Sequence, residues 1–169
     1  MPVFLRRQTA AHVRPRRLGG HYMTRRILHP SDFSAASNAA LRKAVEMAKA
    51  SRGQLLIAHV LSPVVPVAGE GYISPKVYDE IAASSRTWAQ KQLAKRLAQV
   101  KKAGVRASGT LLEGVAHEQI VRFARAKRVD VIVMGTHGRS GLAKLFMGSV
   151  AGRVVAAATC PVLTVRGRS

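Results

Sequence analysis

From residue 25 onward, short apolar segments alternate with longer segments in which apolar residues recur at helical spacing. Five apolar runs predict strands, at residues 27–29, 55–61, 105–112, 129–134 and 162–165. Four intervening segments predict helices, at residues 34–52, 74–103, 115–127 and 149–158. Strands that alternate with helices are typical of a parallel sheet joined by right-handed crossovers. We therefore predict a single α/β domain with a five-stranded parallel sheet and helices on both faces.

Capping residues mark the ends of the predicted helices. Ser34 is the expected N-cap of the first helix, and Gly53 is expected to end it. Gly104 is expected to end the second helix, whose apolar face is predicted to consist of Val77, Ile81, Trp88, Leu93, Leu97 and Val100. In a parallel sheet, ligands bind at the carboxyl ends of the strands, where the strand order reverses. The residues that directly follow each strand are therefore the first candidates for a site.

The first 22 residues differ from the rest of the chain. They contain five arginines, two prolines, a Gly-Gly pair and no acidic residue. This Arg-rich composition resembles a transit peptide, but Pro2, Pro15 and Gly19 interrupt any amphipathic helix. We expect residues 1–22 to be a basic disordered leader, or the product of a start codon upstream of Met23, and residues 23–169 to form the folded domain.

The charge of the chain is strongly positive, with 28 Lys and Arg against 8 Asp and Glu and a net charge of +20. Such an excess predicts attraction to polyanions, including nucleotides and nucleic acid, and carries no information on the fold. The single cysteine, Cys160, excludes an internal disulfide framework and fits a reducing compartment, so we expect a cytoplasmic location. No apolar run reaches the roughly 20 residues of a membrane span, so we expect no membrane partner.

The loop after the fourth predicted strand carries the clearest signal for a binding site. It contains three glycines, and a fourth glycine opens the next helix: Gly135, Gly138, Gly141 and Gly148. Glycines let a ligand approach the backbone closely, and the N–H groups at a helix start bind anions. Ser149 adds a hydroxyl, while Arg139 and Lys144 add positive charge. The segment predicts a phosphate-binding loop, although the glycines alone also fit an ordinary turn, and it matches neither a Walker loop nor the G-x-G-x-x-G fingerprint.

The spacing Gly135-x2-Gly138-x9-Gly148-Ser149 resembles the nucleotide-binding pattern of the universal stress protein family, in its ATP-binding branch. Three other segments also resemble that family: ILHPSDFS at residues 27–34, His59-Val60, and CPVLTV at residues 160–165. The resemblance extends over about residues 24–166. Only the leader remains outside it.

This resemblance implies a Rossmann-like domain over residues 23–169 that binds ATP in a regulatory role during stress survival. It implies that Asp32 and Val60 meet the adenosine, with Pro30 lining the pocket. The ribose and phosphates would lie against the glycine-rich loop and the next helix start, at Gly135, Thr136, His137, Gly138, Arg139, Gly148, Ser149 and Val150. The resemblance also implies a homodimer, formed through the last strand. Independently of it, a carboxylate after the first strand suits a ribose or adenine donor, and Asp32 equally suits a cap near Ser34.

We expect binding without efficient turnover. Residues 131–169 contain no Asp or Glu, so the predicted loop offers no carboxylate to anchor a metal or activate water. Mg²⁺ or Mn²⁺ would then be held through the phosphates, and we predict no protein metal ligand. His137 is the only general-base candidate in the loop, and we assign no catalytic residue. Slow ATP hydrolysis stays open.

Two other functions remain open at this stage. The second predicted helix and its surroundings are basic and contain no acid from residue 81 to 112, which suggests a nucleic-acid-binding protein; the residues are Arg86, Lys91, Lys95, Arg96, Lys101, Lys102 and Arg106. A solvated helix face explains the same pattern. The last strand, with Val162, Leu163 and Val165, also suits a dimeric scaffold of the same fold that binds no nucleotide.

Overall fold

A computed structural model describes residues 17–18, 21–22, 24–62, 74–136 and 147–167 of the chain. Five strands form the main sheet: β1 (Arg26–Pro30), β2 (Gln54–Leu61), β3 (Arg106–Glu113), β4 (Val131–Gly135) and β5 (Val162–Val165). Four helices alternate with them: α1 (Ala35–Ser51), α2 (Pro75–Lys102), α3 (Ala116–Ala126) and α4 (Ser149–Ala157). Within the segment predicted as a leader, two two-residue strands, Arg17–Leu18 and His21–Tyr22, pair antiparallel. The rest of that segment lies outside the described residues.

All five strands of the main sheet are parallel, in the order β3-β2-β1-β4-β5. The chain builds the sheet outward from β1 in one direction and then returns to add β4 and β5 on the other side. The strand order therefore reverses between β1 and β4, which makes their carboxyl ends the topological switch point. The sheet and its alternating helices confirm the predicted fold class.

The core has two layers, one on each face of the sheet. Because side chains alternate along a strand, Ile27 and Val133 pack on one face against α1 and α2. Leu28 and Ile132 pack on the other face against α3 and α4. The inner strands are apolar on both sides, as expected for a sheet covered by helices on both faces.

The end of α1 differs from the expectation. Gly53 does not adopt the left-handed conformation; Arg52 does, with φ 50°. Gly53 is required for space instead, because a Cβ there would lie 3.0 Å from the Thr24 carbonyl oxygen and 3.1 Å from that of Arg25. Gly104, with φ 78°, follows α2 in the left-handed region as predicted.

The apolar face of α2 is buried over only part of its length. Leu93 and Val100 lie in the core, whereas Val77, Ile81 and Trp88 are 41%, 41% and 45% exposed. The reason is length: 28 residues make a helix of about 42 Å. Strands of eight residues span about 26 Å, so the helix is longer than the sheet that it covers. The described part of the chain contains no helix long and apolar enough to cross a membrane.

Candidate functional site

A cavity of about 390 Å³ lies at the switch point, within the usual range of ligand pockets, roughly 300–1,000 Å³. The ends of three strands form its floor and walls: Pro30, Ser31 and Asp32 after β1, Ala58, His59 and Val60 on β2, and Met134, Gly135 and Thr136 on β4. Helices complete it with Ser37, Ala116, Ile120, Gly148, Ser149, Val150 and Ala151. We call this space the switch-point cavity.

Eight of the eleven residues predicted from the sequence line this cavity: Pro30, Asp32, Val60, Gly135, Thr136, Gly148, Ser149 and Val150. His137, Gly138 and Arg139 lie outside the described residues. Sequence reasoning missed the other lining residues. Ser31 and His59 are next to predicted residues, at the carboxyl ends of β1 and β2, where ligand-binding residues are expected. Ala116 and Ile120, in contrast, have the sequence pattern of ordinary core positions of a helix.

The start of α4 borders the cavity with backbone donors that have no partner within the helix. Gly148 is the N-cap, with no side-chain capping bond, and its own N–H donates to the Thr136 carbonyl at 2.7 Å. The first bond inside the helix is donated by Gly152 to the Gly148 carbonyl, at 2.9 Å. The N–H groups between these two residues have no partner within the helix. Together with the positive end of the helix dipole, they suit an anionic group.

Asp32 has a structural role as well as a place in the cavity wall. Its Oδ1 accepts a hydrogen bond from the Ser34 N–H at 3.0 Å, which shapes the turn before α1. Ser34 is the N-cap, and its hydroxyl accepts from the Ser37 N–H at 3.1 Å. Ser34, and not Asp32, is therefore the cap of α1; Asp32, which the sequence offered as a cap near Ser34, stabilises the turn that precedes the helix. Its carboxylate is half-buried and remains beside the cavity.

A buried chain of hydroxyl groups connects the cavity to His29. The Nδ1 of His29 donates to the Val133 carbonyl at 2.9 Å, which fixes the tautomer and leaves Nε2 as an acceptor for Ser37 Oγ at 3.3 Å. Ser37 Oγ in turn lies 2.9 Å from Ser31 Oγ. Regular pairing between β1 and β4 covers only Ile27 and Leu28 on β1, so the His29 side chain bridges the two strands where they separate.

Burial keeps His29 neutral. The side chain is fully buried, and this lowers its pKa from 6.5 to about 4, although the bond to the Val133 carbonyl opposes part of the effect. A neutral imidazole is required by the hydroxyl chain, since Nε2 accepts a hydrogen bond there. His29 thus holds the strand ends in place and offers no charge to a ligand.

His59 is the aromatic part of the cavity wall. Its Nδ1 donates to the Ser31 carbonyl at 2.7 Å, and its ring lies 4.6 Å from that of Phe33. Trp88 of α2 meets Phe33 edge-on at 5.6 Å, which places the single tryptophan of the chain one ring away from the cavity. In the described segments, no three His, Cys, Asp or Glu side chains come together as a metal site.

The fold and this cavity define a doubly wound α/β protein with a ligand site at its switch point. The model of the universal stress protein family matches residues 23–166, and the chain belongs to that family. Universal stress protein MJ0531 of Methanocaldococcus jannaschii is 35% identical over 149 residues, which cover 87% of this chain and 85% of that protein.

Two solved structures extend the comparison. The structure of protein MJ0577, from the same organism, superimposes with a TM-score of 0.75 at 25% identity, covering 87% of this chain and 99% of that one. The universal stress protein of Archaeoglobus fulgidus, solved in complex with dAMP, gives a TM-score of 0.58 at 25% identity and covers 85% of this chain and 98% of that one.

Proposed function

We propose that this protein binds an adenine nucleotide, ATP, in the switch-point cavity and acts as a regulatory stress-response protein with little or no turnover. One observation carries the proposal: the open N-terminus of α4 and the carboxylate of Asp32 both border one cavity of nucleotide-compatible size. The helix N-terminus suits a phosphate chain, and the Asp32 carboxylate suits a hydrogen-bond donor on the ribose or the adenine. The dAMP bound by the Archaeoglobus fulgidus relative supports this chemistry.

The phosphates would lie at Gly148, Ser149 and Val150, where backbone N–H groups and the Ser149 hydroxyl donate. The adenosine would lie between Asp32 and Val60, with Pro30 beside it. Gly135 and Thr136 would contact the ribose and phosphates, and the same role is proposed for His137, Gly138 and Arg139. A Cβ on Gly135 would lie 3.1–3.2 Å from backbone atoms of Ala36 and Ser37, so this position admits no larger residue without a shift of α1.

We expect little or no hydrolysis of ATP, because the cavity has few carboxylates that could hold a metal or orient water. Asp32 is the one carboxylate among the described cavity-lining residues, and one of its oxygens is bonded to the Ser34 N–H. Phosphoryl transfer requires a held metal and an oriented water. We propose that Mg²⁺ or Mn²⁺ accompanies ATP through the phosphates and bound waters, without a protein ligand.

Calorimetric titration of ATP into the full chain tests this function. Ser149→Ala removes a hydroxyl proposed to donate to a charged oxygen, a bond of about 1.5–3 kcal/mol, so affinity should fall about tenfold or more. Asp32→Asn keeps an oxygen for the Ser34 N–H but loses the charge, and it should weaken binding as well. Ser84→Ala and Asp79→Asn, both on the exposed part of α2, are the matched controls and should bind like the wild type. The proposal fails if wild type does not bind, or if the two cavity variants bind as tightly as their controls.

We further propose a cytoplasmic homodimer paired through β5, and a boundary between leader and domain near Met23. β5 is an edge strand whose four residues are all partly exposed, which suits pairing across a two-fold axis. A nucleotide-free dimeric scaffold is the competing function. Light scattering combined with the ATP titration distinguishes them, because the scaffold predicts a dimer without binding.

A further inference from the structure

The end of the sheet opposite the cavity, where the strands begin, is strongly basic. Four connections meet there, each leading to the first residues of a strand: residues 24–26, 49–54, 101–106 and 125–130. They contain ten Lys and Arg residues and one acidic residue, Asp130. All ten basic residues are exposed. We call this surface the basic edge.

Hydrogen bonds join the four segments, and the Gln54 N–H, which donates to the Arg25 carbonyl at 2.7 Å, connects the two central ones. The Arg26 guanidinium donates to the Lys127 carbonyl at 2.7 Å, and that of Arg106 donates to the Arg52 carbonyl at 3.3 Å. Both guanidiniums are therefore bonded to neutral carbonyls that lie within the same surface. In the described part of the chain, neither guanidinium forms a salt bridge.

The one carboxylate of the basic edge is committed to the backbone. Oδ2 of Asp130 accepts from the N–H groups of Arg25 and Arg26, each at 2.8 Å. Among the described residues, the salt bridges are Lys43–Glu46 and Arg86–Glu113, and neither belongs to this surface. The basic edge thus carries close to its full formal charge.

Helix stability does not account for this concentration of charge. Cations near a helix C-terminus are favoured by the helix dipole, which explains Lys49, Lys101, Lys102 and Arg125 in their last turns. The other six basic residues lie outside the helices. Two of them, Arg52 and Arg128, have φ of 50° and 49°, a conformation that favours glycine. The fold places arginine where backbone geometry disfavours it.

We propose that the basic edge binds the phosphate backbone of duplex nucleic acid, independently of sequence. Arg106, Gln54 and Arg26 begin β3, β2 and β1, and Asp130 directly precedes β4, so the four residues form a row about 14 Å wide at strand spacing. Measured along the duplex axis, that width corresponds to about four phosphates of one strand, at about 3.4 Å each. Contacts to phosphates alone supply affinity without base readout.

The surroundings favour a duplex over the other polyanions. Single-strand binding relies on exposed aromatic rings, and binding to a membrane surface relies on exposed apolar side chains. Among the described residues, none of the large exposed hydrophobic side chains belongs to the four segments of the basic edge; they are Val77, Ile81, Trp88, Val115, Met147, Val150 and Val155. The edge includes Lys101, Lys102 and Arg106 of the basic residues that the sequence suggests in and around α2. Of the others, Arg86 is paired with Glu113 and the Arg96 guanidinium donates to Gln99 at 3.1 Å.

The test is fluorescence anisotropy of a labelled 20-bp duplex with the full chain over a salt series. The edge variant combines Arg52→Gly, Lys101→Gln, Lys102→Gln and Arg128→Gly, since glycine suits both left-handed positions. The matched control removes four other exposed charges, through Arg42→Gln, Lys76→Gln, Lys91→Gln and Lys95→Gln. Both variants have the same net charge. A Lys101→Gln, Lys102→Gln double variant gives a second reading if the fourfold variant does not fold.

We expect the edge variant to bind about tenfold or more weaker at low salt, with a slope of log K against log salt shallower by about 3 to 4. The change in slope should be about half as large in the double variant. The control variant should have nearly the affinity and the slope of the wild type. ATP binding should be unchanged in all three, because strands of five to eight residues separate the cavity from the basic edge by about 16–26 Å. The proposal is overturned if the wild type does not bind the duplex, or if the edge variant and the control lose the same affinity. It is also overturned if the protein binds phosphatidylglycerol vesicles as tightly as the duplex in a charge-dependent way.

Discussion

Replacing His29 by Asn tests the buried hydroxyl chain at the switch point. In the folded chain, His29 is neutral with a pKa of about 4, because burial disfavours its charged form. Asn offers an amide N–H for the Val133 carbonyl but does not titrate in this range. The variant therefore removes the proton uptake while keeping a donor at the same place.

The magnitude and sign follow from proton linkage. In the unfolded chain, His29 takes up a proton near pH 6.5, whereas in the folded chain it takes up a proton only near pH 4. Between these values the unfolded state binds more protons, so stability falls as pH falls. The difference between the two pKa values corresponds to about 3 kcal/mol. This contribution is complete above pH 7 and is lost progressively down to pH 4.

Urea unfolding of wild type, His29→Asn and the control His117→Asn at several pH values measures the effect. The free energy of unfolding of wild type should fall by about 3 kcal/mol more than that of His29→Asn between pH 7 and pH 4. His117→Asn, in the first turn of α3, should follow the wild type. Parallel curves for wild type and His29→Asn would contradict this prediction, since they would mean that His29 titrates alike in the folded and unfolded states.

Three further predictions concern packing and the cavity wall. Gly109→Val should lower the free energy of unfolding by about 1–3 kcal/mol, measured in urea, because a Cβ there lies 2.7 Å from Leu97 Cδ1. Arg52→Gly should raise it by about 1 kcal/mol, since it relieves a left-handed backbone; an unchanged midpoint would contradict this. ATP should change the fluorescence of Trp88 saturably, because Trp88 contacts Phe33 and His59 at the cavity wall; a Phe33→Leu variant should show a smaller change.

The fold was largely predictable because hydrophobic periodicity reports local structure. The run at residues 129–134 identified β4 because a strand covered on both faces is apolar throughout. Ser34 identified the start of α1, since few residue types cap a helix. Periodicity carries no information on the size of the sheet, however, and the exposed half of α2 was therefore predicted to be buried.

Residues of the candidate site could be predicted from the sequence only where they lie at the end of a predicted strand or at the start of a predicted helix. Asp32 follows β1 and Gly135 ends the neighbouring β4, so both are found by inspecting the carboxyl ends of the strands. Ser37 reaches the cavity through its place one turn into α1, and its link to His29 depends on three-dimensional packing. The basic edge comes from four segments far apart in sequence, and only the strand order brings them together.

Nucleotide binding at the switch point is tested most directly by a crystal structure of the full chain grown with saturating ATP and Mg²⁺. We predict adenosine between Asp32 and Val60, with phosphate oxygens about 3 Å from the backbone N–H groups of Ser149 and Val150. An empty cavity at saturating ATP, or a nucleotide bound elsewhere on the protein, would contradict it.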